Sequence, residues 1–225
     1  SYSYFFTPES FVYHTLFLPL GREWYNLFMK TSERILIAAT NAFGEFGYDA
    51  TSLDDLAKDL GIRKQSILYH FPSKEQLLIA SADEAISELV AVLDSAIARS
   101  ENGWGRVEAV VKSVFRLAIR RPELLGLLRE ITRLGHPVLT RAIGGVNPLF
   151  KGATDWMRDE MEQGRIRESD PELLVLSIYS TVMGAATEIK LFEAIGEKQT
   201  LRGAALRRKE LLRFLESALA PKALL

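Results

Sequence analysis

The sequence predicts an all-α chain: a small three-helix head followed by a larger helical bundle. Three observations carry that reading. From residue 31 onward apolar residues recur at helical intervals, with no strand-like alternation. Residues 51–75, TSLDDLAKDLGIRKQSILYHFPSKE, have the spacing of a helix-turn-helix. The borders of the later helices are marked by Asx-Pro pairs and by a Ser followed three residues later by Gln.

Met29 is followed by Lys-Thr-Ser-Glu, a natural opening for the first helix. Ile35, Ala38, Ala39, Ala42, Phe43 and Phe46 form its apolar stripe, and Gly47 is its expected terminator. Thr51 and Ser52 begin the second helix, one as its cap and the other free to bond a phosphate; for Thr51 capping alone is an equal reading. Leu53, Leu56, Ala57 and Leu60 give that helix an apolar face. Gly61 then supplies the positive φ of a tight corner. Ala57 stands four residues earlier, where two steeply crossing helices leave little room. Ile62 and Ile67 anchor a third short helix. Pro72-Ser73 breaks the chain, and Ser73 with Gln76 makes a capping box for a fourth.

These residues resemble the TetR/AcrR-type bacterial repressors. The resemblance covers roughly residues 31–80, in AFGEFGYDATSLDDLAKDLGI followed by YHFPSKEQLL, with Gly47, Thr51, Ala57, Gly61, His70, Phe71, Lys74 and Leu77 on the pattern. It implies a helix-turn-helix DNA-binding head over 29–75, a helical ligand-binding and dimerisation domain over 76–225, and an extension of uncertain status over 1–28. Two positions depart from the pattern. A capping Ser or Thr is replaced by Arg63, which forgoes about 1 kcal/mol of capping and offers a cation to DNA. A frequent tyrosine is replaced by Leu68, with Tyr69 beside it. Leu68 facing the core and Tyr69 the phosphates is one assignment, which the resemblance leaves open.

The expected DNA-reading residues follow from reach. Lys64, Gln65 and Ser66 open the recognition helix, where Gln suits adenine and Lys guanine. Arg63, Tyr69, His70 and Lys74, with Thr51 and Ser52, are candidates for phosphate, although a lone His beside Phe71 is equally a packing residue. Charge argues for restraint. Residues 31–80 hold five Lys or Arg against seven Asp or Glu, and the whole chain has a formal net charge of −1. The cations that exist gather around the recognition helix, so affinity should be modest and strongly dependent on salt.

Beyond the head the expected helices are 74–99, 104–120, 122–134, 148–164, 171–195 and 201–219. Pro122, Asn147-Pro148 and Asp170-Pro171 mark their starts, and Gly144-Gly145 marks a flexible link. The 171–195 helix is apolar nearly all round, as a helix buried on two sides would be. A central core helix is the plain reading. The resemblance implies pairing with a second copy through the last long helices, with Ser177, Thr181, Gly184 and Glu188 as a small-residue stripe and Trp156 and Met157 from helix 148–164 as further contacts. A two-fold dimer calls for a palindromic operator. The resemblance also implies a small-molecule effector in the bundle, for which the candidate contacts are Trp104, Phe115, Leu128, Arg129, Thr132, His136, Trp156, Met161, Tyr179 and Met183. Their composition favours an apolar or aromatic effector, with Arg129 and Arg133 able to pair an acidic one.

Other function classes find little support. The chain has no cysteine, so thiolate metal sites and disulfides are impossible, compatibly with a reducing cytoplasm. None of its three histidines follows a Glu at di-metal spacing, and no HExxH, phosphate loop or GxSxG occurs. We therefore expect no enzyme, no metal and no cofactor. No apolar run reaches the roughly 20 residues of a membrane span. The aromatic-rich first 28 residues lack the charge and cleavage pattern of a signal peptide and are expected to lie outside the core domain or to act as an arm on it. The rival function is a helical small-molecule or protein-binding module whose head does not read an operator.

Overall fold

A computed structural model describes residues 29–100, 103–135, 137–196 and 200–221. The expectation for residues 1–28 and the candidate His136 lie outside the described residues. Ten α-helices are described, and no strand is described among these residues. The head comprises α1 (Thr31–Phe46), α2 (Leu53–Leu60) and α3 (Lys64–His70). The body comprises α4 (Lys74–Ala98), α5 (Trp104–Arg120), α6 (Pro122–Leu134), α7 (Val138–Glu162), α8 (Pro171–Thr187), α9 (Ile189–Ala194) and α10 (Leu201–Leu219).

Local chemistry sets most of these borders. Ser52 caps α2 by accepting the Asp55 N–H at 3.0 Å. Gly61 ends α2 in the left-handed region at φ 66°. Ser73 caps α4 by accepting the Gln76 N–H at 3.1 Å, and Asp170 caps α8 by accepting from Leu173 at 2.8 Å. Phe43, Ile35, Ile67 and Leu77 are fully buried and tie α1, α3 and α4 into one core. Arg34 of α1 reaches across to donate to the Leu60 carbonyl at 3.0 Å, satisfying an acceptor at the end of α2.

The most extensive helix contact joins head to body, α1 on α6. It is possible because two glycines face each other. A Cβ on Gly44 would stand 2.0 Å from the Glu123 carbonyl oxygen, and one on Gly126 2.4 Å from the Gly44 oxygen. Only bare backbone permits so close an approach.

Two expected helices differ from those observed. Helix 148–164 begins ten residues earlier, at Val138, and runs through Gly144-Gly145 and Pro148. Gly145 is a packing residue rather than a flexible link, since a Cβ there would meet Ile86 Cγ2 of α4 at 2.8 Å. Pro148 lies inside the helix, where it omits one backbone hydrogen bond; Arg141, bound through two nitrogens to Asp83 at 2.7–3.0 Å, ties the preceding turns to α4. Helix 171–195 is broken at Glu188, with φ −78° and ψ 50°, into α8 and the short α9.

Candidate nucleic-acid interface

The recognition helix α3 is seven residues long and is held by one buried side chain, Ile67. Everything opposite Ile67 therefore faces outward. Arg63, Gln65, Tyr69 and His70 are exposed, and Lys64 and Ser66 partly so. Tyr69 is 85% exposed, an unusual position for a tyrosine with no partner surface. Its ring meets that of His70 edge-on at 5.2 Å. Leu68 packs against the core, which settles the pair in favour of Tyr69 facing solvent. An open concavity of about 460 Å³ runs along this face, lined by Arg63, Gln65, Ser66, Tyr69, His70 and also Thr31. Thr31, the first residue of α1, escaped the sequence reading, which treated α1 as scaffold alone. A hydroxyl at a helix N-terminus was the available signal.

The remaining head candidates are placed with less freedom. Thr51 is buried and its hydroxyl donates to the Gly47 carbonyl at 2.8 Å, so it braces the turn and its side chain has no access to phosphate. The capping role belongs to Ser52. Lys64 forms an ion pair with Asp54 of α2 at 2.8 Å. Lys74 holds its ammonium 4.2 Å over the Tyr48 ring. Arg63 stands at the N-cap with no side-chain hydrogen bond, as its lack of an acceptor requires.

The turn after α1 is clamped from the body. Glu130 of α6 accepts the Tyr48 N–H at 2.7 Å, and Arg133 bonds both Glu130 at 2.7 Å and Asp49 at 3.0 Å. The Arg133 hydrogen bond, with the Tyr48 N–H, holds the Glu130 carboxyl below its ordinary value against the opposing effect of burial. One turn back on α6, Arg129 pairs with Glu188 at 2.7 Å and donates to the Thr187 carbonyl at 3.2 Å. A second buried knot, Arg121 with Glu88 at 3.0 Å and with Glu123, joins α4 to the start of α6. Burial and the Glu88 charge raise the nearby Glu84 carboxyl.

The body candidates do not converge on one place. Phe115 is buried in the core, whereas Leu128, Met161 and Met183 are half-buried against it. Thr132 is exposed and its hydroxyl donates to the Leu128 carbonyl. Arg129 is engaged by Glu188, Trp156 lies under the Arg106 guanidinium at 5.4 Å, and Tyr179 points outward from α8. Trp104 fronts a surface groove with α10. Among the dimer candidates Met157 is only 4% exposed and so belongs to the protomer's own core, which removes it from any interface. Ser177 is exposed, and Thr181, Gly184 and Glu188 are half-exposed along one edge of α8. The larger outward residues are Leu173, Leu176 and Tyr179 of α8, and Leu206 and Phe214 of α10, which packs beside it. Among the described residues no group of His, Asp or Glu could hold a metal ion, and no helix is long and apolar enough to cross a membrane.

Comparison with known proteins agrees with this geometry. Residues 35–81 match the family described as bacterial regulatory proteins, tetR family. The chain is 25% identical over 162 residues to the HTH-type transcriptional regulator RutR of Escherichia coli strain K12, covering 72% of this chain and 76% of RutR. Its fold is shared with AibR, solved with isovaleryl coenzyme A and operator DNA, at a TM-score of 0.70 and 20% identity over 82% of this chain and 97% of that one. It is shared equally with a transcriptional regulator from Saccharomonospora viridis in complex with choline, at a TM-score of 0.69 and 17% identity over 84% of this chain and 97% of that one.

Proposed function

We infer, for a chain that belongs to the tetR family of bacterial regulatory proteins, that it acts as a dimeric repressor released from a palindromic operator by a small effector. The observation that carries this reading is the outward face of α3. Ile67, buried, and Leu68, packed against the core, hold a seven-residue helix that leaves Gln65, Tyr69 and His70 exposed, with Arg63 exposed at its N-cap. A helix of that length and polarity fits the major groove. Gln65 and Lys64 read base edges; Arg63, Ser66, Tyr69, His70, Ser52 and Lys74 hold the backbone, with Thr31 added to them. Domain roles divide near the start of α4, with the head over 29–75 and the effector and pairing functions over 76–225.

Pairing uses α8 and α10. Leu173, Leu176, Tyr179, Leu206 and Phe214 are large apolar side chains left in water on adjacent helices, and the edge from Ser177 to Glu188 lets a second copy approach closely. This replaces α7 as the second contributor. An effector works only by favouring one spacing of the two heads. The α6 helix is the element that transmits it, being clamped to the head turn by Glu130 and Arg133 and to the α8–α9 break by Arg129. Relatives of this fold are solved with isovaleryl coenzyme A and with choline, so the fold accommodates chemically distinct ligands. The body's half-buried Leu, Met and Trp residues favour an apolar or aromatic group in this one.

A gel shift on the DNA flanking the chain's own gene, repeated across salt concentrations, tests the assignment. A saturable complex of two chains per duplex, weakening steeply with salt, is expected. Indifference to every duplex at low ionic strength would leave the chain a helical binding module with an idle head.

A further inference from the structure

We propose that the groove between α5 and α10 binds an organic anion that joins a planar ring to two or more acidic groups, a nucleoside diphosphate being the simplest example. The groove is an open surface depression of about 460 Å³, so a ligand there would be held chiefly by its charges and one stacked face. It lies on helices that carry none of the DNA-reading residues, so it is separate from the interface described above.

Four cations converge there, Lys112 from α5 and Arg208, Lys209 and Arg213 from α10, in a chain whose formal net charge is −1. Two carboxylates, Glu108 and Glu216, share the lining. Glu108 is committed to Lys112 at 2.8 Å, and Arg213 is engaged outside the lining by Glu210 at 2.9 Å. Arg208 and Lys209 have no ion-pair partner among the described residues. With Lys112 and Arg213 already paired, Arg208 and Lys209 are the lining cations left to meet an anion.

The apolar side of the groove selects the rest of the ligand. Trp104 and Leu212 line it half-buried, offering an indole face and an aliphatic floor for a flat ring. Trp104 is also the first residue of α5, whose N-terminus has no side-chain cap and no acid in its first turn. The partial positive charge at that end adds to the field of the unpaired Arg208 and Lys209.

Calorimetric titration of the full chain with ADP, adenosine and pyrophosphate tests this. ADP should bind once per chain, and adenosine and pyrophosphate should each bind at least about tenfold more weakly, because each lacks one half of the recognition. Arg208→Ala combined with Lys209→Ala should weaken ADP by about tenfold or more with an unchanged thermal melt and unchanged gel shift. Trp104→Ala should weaken ADP while leaving pyrophosphate as it was. The proposal is overturned if ADP fails to bind, if pyrophosphate binds as tightly as ADP, or if the double variant binds ADP undiminished. A chain that ignores DNA yet binds ADP in this pattern would sink the operator reading and leave the groove standing.

Discussion

At the scale of single residues, neighbours decide which of the plausible DNA contacts are available. Thr51 and Ser52 look alike in the sequence, yet one hydroxyl is buried against the Gly47 carbonyl and the other caps α2. Their order along the chain gave no means of telling them apart. Gln65 stands free on the exposed face, so Gln65→Ala should relax preference at one base position, read by binding to a panel of single-base operator variants; unchanged preference would remove Gln65 from the reading set. Lys64 is held by Asp54, a pair of the exposed kind worth at most about 1 kcal/mol. Asp54→Asn should release Lys64 and raise affinity for all duplexes by up to about fivefold, with a steeper salt slope. Lys74→Ala should weaken every duplex alike and flatten that slope. A loss confined to the operator would contradict a phosphate role for Lys74.

At the scale of elements, the α1–α6 crossing is the junction on which head and body depend. Gly126→Ala would drive a methyl group to 2.4 Å from the Gly44 carbonyl oxygen. The helices must separate, at a cost of about 1–3 kcal/mol as in other overpacked contacts, and both the melting temperature and operator affinity should fall. A Gly126→Ala chain that melts as the parent does would mean the crossing yields freely. The neighbouring clamp is sensitive to acid. Glu130 has a carboxyl lowered in the folded chain, so its contribution is present above the unfolded carboxylate value near 4.3 and is lost as pH falls through the lower folded value. Glu84 has the opposite sign: burial and the Glu88 charge raise its carboxyl, so its strain is relieved as pH falls through that raised value. Glu130→Ala should forfeit the Tyr48 N–H bond, worth about 1 kcal/mol, and lessen the acid sensitivity of the pH–stability profile measured by thermal melts, leaving the share of Glu160, also lowered by its Arg165 partner.

At the scale of the whole molecule, the decisive surface is the outward side of α8 and α10. Leu176→Glu or Phe214→Glu should place a charge in the proposed pairing face and yield monomers by sedimentation while leaving each protomer folded, since both residues are exposed within it. Operator affinity should then drop sharply, because one recognition helix contributes only half the contacts. Dimers that persist in both variants would move the interface elsewhere. The low charge of the head adds to this dependence. With few spare cations near its recognition helix, one head alone should bind weakly, and pairing would add the contacts of a second.

What the amino-acid order determined by itself is what short-range chemistry dictates. Gly61 at a corner, Ser52, Ser73 and Asp170 at helix starts, and the spacing of Ile35, Phe43 and Ile67 each act within a turn or two of the chain. The three-helix head and its outward α3 were legible for that reason. What the tertiary structure decided concerns partners far away in sequence. Gly145 reads as a break until Ile86 is found beside it, Met157 reads as a contact for a second copy until the protomer's own core encloses it, and Gly44 and Gly126 are unremarkable until they meet. A glycine or a methionine has the same local signature whether it bends the chain, fills a core or lets two helices touch. The distinction lies in what packs against it.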